Sequence, residues 1–156
     1  GFRNDKLAPK SLMGKFSAAR NKSRRFLVQA LYQAQIAEVE LSEVVSLFEQ
    51  DHNMKRADLV FFREVLEGIN DNYLSLVSSI EEIGHRPFTE SDPIERGILL
   101  IGSFELNYKG DIPYKVVINE CIELAKYFGA AESFKYINSV LDSLSKTLRP
   151  TEYATR

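Results

Sequence analysis

Hydrophobic residues recur at three- and four-residue steps along most of the chain, and residues 111–134 show this pattern most completely. The apolar positions of this stretch form one stripe with polar residues opposite, which is typical of an amphipathic helix: Val117, Ile118, Cys121, Leu124, Ala125 and Phe128. Pro113 lies where a first helical turn tolerates proline, because its nitrogen would have no helical partner there. Gly129 follows the last apolar position and can adopt the left-handed conformation that ends a helix.

The helical period recurs in other stretches, near residues 17–36, 42–48, 58–69, 73–83, 93–108 and 132–148. The stretch 93–108 is apolar on nearly all sides, so we expect it at the centre of the fold. Glycine and asparagine within residues 68–72 predict a break or kink. No stretch alternates with the two-residue period of a half-buried strand. The sequence therefore predicts an all-α fold of about seven helices, arranged as two small packed helical bundles.

The two ends of the chain differ from its middle. Residues 1–12 lack helical period, and we expect residues 1–17 to be a flexible N-terminal extension or an expression remnant. Residues 18–149 contain the periodic stretches and are expected to form one helical domain. The Arg149-Pro150 step should end the last helix, which leaves residues 150–156 as a loose C-terminal tail.

Positive charge is concentrated at the N-terminus, although the formal net charge of the whole chain is only −2. Residues 1–25 contain eight Lys and Arg residues against Asp5, a net +7, so the remaining residues carry −9. A basic arm on an acidic body is typical of a nucleic-acid contact, but a solvated tail has the same composition. Charge alone does not decide between the two.

The sequence contains no recognisable catalytic motif. A glycine-rich phosphate loop, a His-Glu metal motif and a serine beside a likely base are all missing, so we expect no enzyme activity, cofactor or small-molecule substrate. Cys121 lies in an apolar stripe and is expected to be a small buried side chain. A single cysteine fits a reducing, cytoplasmic environment. No apolar run approaches membrane-spanning length, so no membrane partner is expected.

Two ordered groups of residues resemble one known family. The first is the basic run Ser17-Ala18-Ala19-Arg20-Asn21-Lys22-Ser23-Arg24-Arg25, followed by Val28-Gln29-Ala30-Leu31-Tyr32. The second comprises residues 113–120 (PYKVVINE), 123–126 (ELAK), 128–130 (FGA) and Asn138 with Leu141-Asp142. Over about residues 18–149 the chain resembles the NusB family of bacterial transcription antitermination factors.

This resemblance implies a function in RNA binding. Proteins of this family bind boxA RNA jointly with NusE, a small-subunit ribosomal protein, within the RNA polymerase antitermination complex, and promote read-through, notably in ribosomal RNA operons. It implies RNA contacts along the basic run and around the start of the last helix: Arg20, Lys22, Arg24, Gly129, Glu132, Lys135 and Tyr136. Tyr32 and Glu95 match positions at or near the surface that contacts the protein partner.

Simpler interpretations of these residues remain open at this stage. Tyr136 lies off the apolar stripe that Phe134, Ile137 and Leu141 form, so its ring should be reachable, yet a surface tyrosine often only packs. Tyr32 could belong to the core, and Glu95 could pair locally with Arg96. For the whole chain, the alternatives are an RNA-binding module of an RNA methyltransferase and a purely protein-binding adaptor. The sequence contains no Rossmann-like segment, which makes the methyltransferase the less expected alternative.

Overall fold

The computed structural model describes the backbone of residues 2–51 and 53–155, and the side chains of residues 17–50 and 53–155. The described residues contain helices and turns but no strand, so the all-α prediction is confirmed. The helices are α1 (Phe2–Ala37), α2 (Leu41–Asp51), α3 (Leu59–Asp71), α4 (Tyr73–Gly84), α5 (Pro93–Tyr108), α6 (Tyr114–Tyr127), α7 (Phe134–Leu148) and α8 (Pro150–Ala154). Short 3₁₀ turns lie at Phe88–Glu90 and Ala131–Ser133.

Helix α5 is the central element, as its apolar composition predicts. It packs against α1 and α3 on one side and against α4, α6 and α7 on the other, so the fold consists of two small bundles that share α5. Its residues 97–106 are all buried. Gly102 allows the close approach, because a Cβ there would overlap the side chain of Leu141 on α7 and lie tightly against Cys121 on α6.

Local sequence signals set several helix ends. The carboxylate of Asp58 accepts a hydrogen bond from the Phe61 amide at 2.9 Å and caps α3, and Asp92 caps α5 through the Glu95 amide in the same way. Asn72 separates α3 from α4, where the break is predicted. Gly129 has a φ of 73°, the left-handed conformation expected just after α6.

Three expectations differ from the structure. Helix α1 begins at Phe2 rather than Ser17, because an existing helix extends without a new nucleation cost. Phe134, expected on the core side of α7, is 41% exposed because the buried stripe begins one turn later, at Ile137. Residues 150–154 form α8 rather than a loose tail, and this helix is held by a hydrogen bond of 2.6 Å from the Tyr114 amide to Glu152.

Arg149 holds the junction between α7 and α8. Its guanidinium is buried and donates to backbone carbonyl oxygens at the end of α5 and in the turn that follows: those of Glu105, Leu106, Lys109 and Ile112. Two of these carbonyl groups, those of Glu105 and Lys109, also accept backbone amide hydrogen bonds, so Arg149 reinforces the turn that ends α5. Arg149 and Pro150 therefore mark a change of chain direction between α7 and α8, and ordered structure continues beyond them.

Candidate functional site

Arg20 and Lys22 lie at the edge of the turn that precedes α3. The guanidinium of Arg20 is 3.8 Å from the Asp58 carboxylate and 3.9 Å from that of Asp111. Lys22 donates to the carbonyl oxygen of Lys55 at 2.6 Å, which uses one of the three donors of its ammonium group. Such long or partly solvated contacts stabilise little. Both cations are therefore positioned by the fold and remain accessible to an anionic partner.

Arg24 does not share this accessible position. Its side chain is buried and forms a bidentate pair with Glu105 on α5, at 2.9 Å from Nε and 2.7 Å from Nη2, while Nη1 donates to Asn21. Burial opposes the charge of Arg24, but the hydrogen bonds and charge of Glu105 outweigh it and raise the pKa of the guanidinium. The expectation of a phosphate contact by Arg24 is at odds with this geometry, because the side chain is buried and each of its three nitrogens already donates to a partner inside the protein.

Arg25 and Tyr127 form a contact that the sequence reasoning missed. The guanidinium of Arg25 lies over the Tyr127 ring, 5.1 Å from the ring centroid, and Tyr127 is 64% exposed. The basic run contained Arg25, and Tyr127 lies off the α6 stripe, so both signals were present in the sequence. What the sequence did not show is that α1 and the end of α6 bring the two side chains together.

An open cleft of about 490 Å³ surrounds this contact. Its lining combines cations, carboxylates and an aromatic ring: Asn21, Arg24, Arg25, Glu120, Glu123, Leu124, Lys126 and Tyr127. Burial raises the pKa of Glu120, and the nearby carboxylates of Glu105 and Glu123 add to the rise while Arg24 opposes it. The cleft thus offers a stacking surface together with both hydrogen-bond donors and acceptors.

The corner between α6 and α7 carries the remaining predicted RNA contacts. Gly129 follows α6, Glu132 lies in the 3₁₀ turn and Lys135 in the first turn of α7, and all three are exposed. At Gly129 a side chain would meet nothing within 4 Å, but the left-handed φ of 73° would strain any other residue type. The corner is therefore open, and its conformation depends on this glycine.

Tyr136 lies at the same corner but is only half exposed. The guanidinium of Arg86 covers one face of its ring, 3.6 Å from the centroid. The hydroxyl end of the ring packs against Gly84, where an added Cβ would overlap it. The ring is therefore held in place, and one of its faces is covered by Arg86, a residue that no sequence pattern singled out.

Glu95 is buried rather than displayed on the surface, with only 5% of the residue exposed. Its carboxylate pairs with Arg86, the same residue that covers Tyr136, and not with Arg96 as one interpretation of the sequence suggested. Arg96 instead donates to Gln35 on α1 at 2.6 Å. A direct contact between Glu95 and a protein partner is difficult to reconcile with this burial.

Tyr32, by contrast, is 42% exposed and does not belong to the core. It borders a largely apolar groove of about 490 Å³ between α1, α2, the start of α5 and the residue that follows α6. The groove is lined by Gln29, Tyr32, Gln33, Ile36, Ala37, Phe48, Ile94 and Phe128. Tyr32 and Ile36 are the exposed apolar side chains of this groove, and exposed apolar side chains around one groove are typical of a protein-binding surface.

Three further properties can be examined in the structure: metal binding, membrane crossing and the reactivity of the thiol. Among the residues that the structure describes, no group of three or more His, Cys, Asp or Glu side chains is arranged to hold a metal ion. No helix within that same part of the chain is long and apolar enough to cross a membrane. Burial raises the pKa of the Cys121 thiol, and the charge of Glu105 adds to this, so little of the reactive thiolate forms.

Comparisons with known proteins agree on one family. The NusB family profile matches residues 21–146. The transcription antitermination protein NusB of Marinomonas sp. (strain MWYL1) is 45% identical over 142 residues, which are 90% of this chain and 82% of that protein. The NusB of Idiomarina loihiensis is 41% identical over 134 residues, 86% of this chain and 96% of its own.

A solved structure supports the same assignment. The structure of T. maritima NusB superimposes with a TM-score of 0.76 at 26% sequence identity, covering 88% of this chain and 97% of that one. The chain belongs to the NusB family of transcription antitermination proteins.

Proposed function

We propose that this protein binds single-stranded boxA RNA jointly with NusE and promotes read-through by RNA polymerase, notably in ribosomal RNA operons. In this proposal it acts in the cytoplasm as a binding protein without catalysis or cofactor. The observation that carries the proposal is the contact between Arg25 and Tyr127. It joins the basic face of α1 to the exposed corner between α6 and α7, so one RNA strand can touch both.

The RNA surface in this proposal combines accessible cations with aromatic rings. Arg20, Lys22 and Arg25 supply positive charge on α1, and Arg25 takes the place expected of Arg24. Gly129, Glu132 and Lys135 line the corner, and the accessible part of the Tyr136 ring lies at the same corner. Cations that follow a backbone, with rings on which bases stack, are the usual means of binding single strands.

The protein surface in this proposal is the groove beside Tyr32. Its apolar lining supports a contact with NusE, and it lies on the same helix as the basic face, so one partner can contact both protein and RNA. Glu95 contributes indirectly, because its carboxylate is buried against Arg86. The surface contact at this end of the molecule is therefore assigned to Tyr32 and its neighbours.

An electrophoretic shift with a boxA oligonucleotide, with and without NusE, tests this proposal. We expect a weak shift with this protein alone and a stronger one with both proteins. A scrambled RNA of equal length controls for binding by charge alone. Binding of NusE without any RNA shift would favour a purely protein-binding adaptor, and no interaction with either would contradict the proposal.

A further inference from the structure

Arg86 connects a predicted RNA-binding residue to a predicted partner-binding residue. It lies in the short segment after α4, where His85 adopts the left-handed conformation and ends the helix. Its guanidinium stacks on the Tyr136 ring with 3.6 Å between the guanidinium carbon and the ring centroid. Its Nη2 donates to the Glu95 carboxylate and, at 2.9 Å, to the Ser91 hydroxyl. A single side chain thus joins the end of α4 to α5 and α7.

The guanidinium has little freedom to leave this position. Glu95 and Ser91 are both buried while a third of the Arg86 side chain is exposed, so the ion pair is partly shielded from water. The buried Nε of Arg86 has no hydrogen-bond acceptor among the described residues. The position of the guanidinium therefore depends on the carboxylate of Glu95 and on the face of the Tyr136 ring, where a cation is attracted to the π electrons.

The Tyr136 ring is constrained at a second point. Its hydroxyl end packs against Gly84, and the absence of a Cβ at that residue provides the space. One contact fixes the tip of the ring and the other covers one of its two faces. The ring is also half-buried against the hydrophobic core, so a flat partner can stack only on the accessible part that Arg86 leaves uncovered.

We propose that Arg86 is a positioning residue for RNA: together with Glu95 it holds the Tyr136 ring so that one unpaired nucleobase stacks on its accessible part, away from the guanidinium. This inference rests on the proposed function, since it concerns the same RNA surface. Stacking on a ring that is already ordered loses less conformational entropy than stacking on a mobile one. Glu95 then influences RNA binding through Arg86 rather than by touching RNA or protein.

The arrangement can be followed directly by fluorescence. The chain contains no tryptophan, so a Tyr136→Trp variant has a single indole at the position of interest. In that background, Arg86→Ala and Glu95→Gln should each change the emission and lower the anisotropy of the indole, because its ring loses a constraint. Addition of boxA RNA should quench the emission when a base stacks on the indole.

Affinity for boxA RNA in the presence of NusE is measured in parallel for single and double variants. We expect Arg86→Ala and Glu95→Gln each to weaken binding about 2- to 5-fold, which corresponds to a cation–π contact at a partly exposed site. In a Tyr136→Ala background neither change should weaken binding further, since the ring they position is gone. Arg86→Lys should restore part of the affinity. Arg63→Ala controls for the loss of one arginine from an ion pair, because Arg63 pairs with Glu49 on α2, which is not part of the proposed RNA surface.

Each outcome decides a separate point. If Arg86→Ala weakens binding equally with and without the Tyr136 ring, Arg86 contacts RNA itself and the positioning role is wrong. If Tyr136→Ala weakens binding but Arg86→Ala and Glu95→Gln do not, the inference fails while the proposed function stands. If the unmodified protein binds no boxA RNA even with NusE, the proposed function fails first.

Discussion

The guanidinium of Arg24 and the carboxylate of Glu105 form a buried bidentate pair that joins α1 to the central helix α5. The pair orients the part of α1 that carries Arg20 and Arg25, so the accessible cations are held relative to the rest of the fold. A basic sequence run therefore contains two kinds of arginine. One stabilises the fold, and its neighbours remain available to a partner.

Loss of this pair should destabilise the protein substantially. Arg24→Ala leaves the Glu105 carboxylate buried without a partner, which typically costs about 3–5 kcal/mol. We expect a decrease in thermal midpoint on the order of 10 °C for a chain of this size. The double variant Arg24→Met with Glu105→Leu should recover most of the stability, because apolar residues of similar volume replace both charges. An Arg24→Ala variant of normal stability with reduced RNA affinity would instead support a direct RNA contact.

The three accessible cations of α1 should determine the salt dependence of RNA binding. Each phosphate contact that is lost lowers the slope of log K against log salt concentration by about 0.7 for a single strand. The combined variant Arg20→Ala, Lys22→Ala, Arg25→Ala should therefore lower the slope by roughly 2. Arg63→Ala, on an exposed pair between α2 and α3, is the control for loss of a positive charge outside the proposed RNA surface. A slope that is equal in the triple variant and the control would exclude the α1 phosphate contacts.

The contribution of Glu152 to the free energy of unfolding should depend on pH. Partial burial raises the pKa of its carboxylate, but hydrogen bonds from the Tyr114 amide and from Arg149 outweigh this and hold the pKa below its usual value. The pKa of a glutamate is about 4.3 in the unfolded chain. Because the pKa of Glu152 is lower in the folded state, the carboxylate stabilises the fold above the unfolded-state pKa, and this stabilisation is lost as the pH falls through the folded-state pKa. Glu152→Gln should therefore destabilise the protein at neutral pH and have a smaller effect near pH ~3. Denaturant unfolding at several pH values measures the difference in free energy of unfolding between the unmodified protein and Glu152→Gln. This difference should be independent of pH if the carboxylate has no ionic role.

The Cys121 thiol should react only when the protein unfolds. Its sulfur is buried between α5 and α6, and burial raises its pKa, so both access and the thiolate fraction are low. A thiol reagent should label the native protein slowly, and the labelling rate should rise sharply at the denaturant concentration that unfolds it. Rapid labelling of native protein would mean that this face of α6 opens locally.

Features that depend on local sequence were predictable, and those that depend on distant packing were not. The apolar stripe of α6 predicted that Cys121 is buried. Gly129 follows the last apolar residue of this stripe, which predicted a left-handed residue at the helix end. Both predictions follow from helical periodicity. Arg24 and Glu105 are 81 residues apart, and nothing in either neighbourhood indicates that they pair. A basic residue in a basic run looks exposed until the tertiary fold brings a carboxylate to it.

The candidate site shows the same division. The off-stripe position of Tyr136 predicted that part of its ring would be accessible. The guanidinium that covers one face of this ring belongs to Arg86, which lies in the loop between α4 and α5. Helical periodicity within α7 could not reveal this contact. Likewise, the exposure of Phe134 follows from where α7 begins to pack, which depends on the turn before it.

The most direct test of the central claim is the affinity of Tyr136 variants for boxA RNA in the presence of NusE, measured alongside thermal unfolding. Stacking of one base on an aromatic ring contributes about 1–3 kcal/mol by alanine substitution. Tyr136→Ala should weaken binding by about that amount. Tyr136→Phe should retain affinity, because stacking requires the ring and not the hydroxyl, and both variants should remain folded. Normal RNA binding by a folded Tyr136→Ala variant, or a loss that follows unfolding alone, would contradict the account.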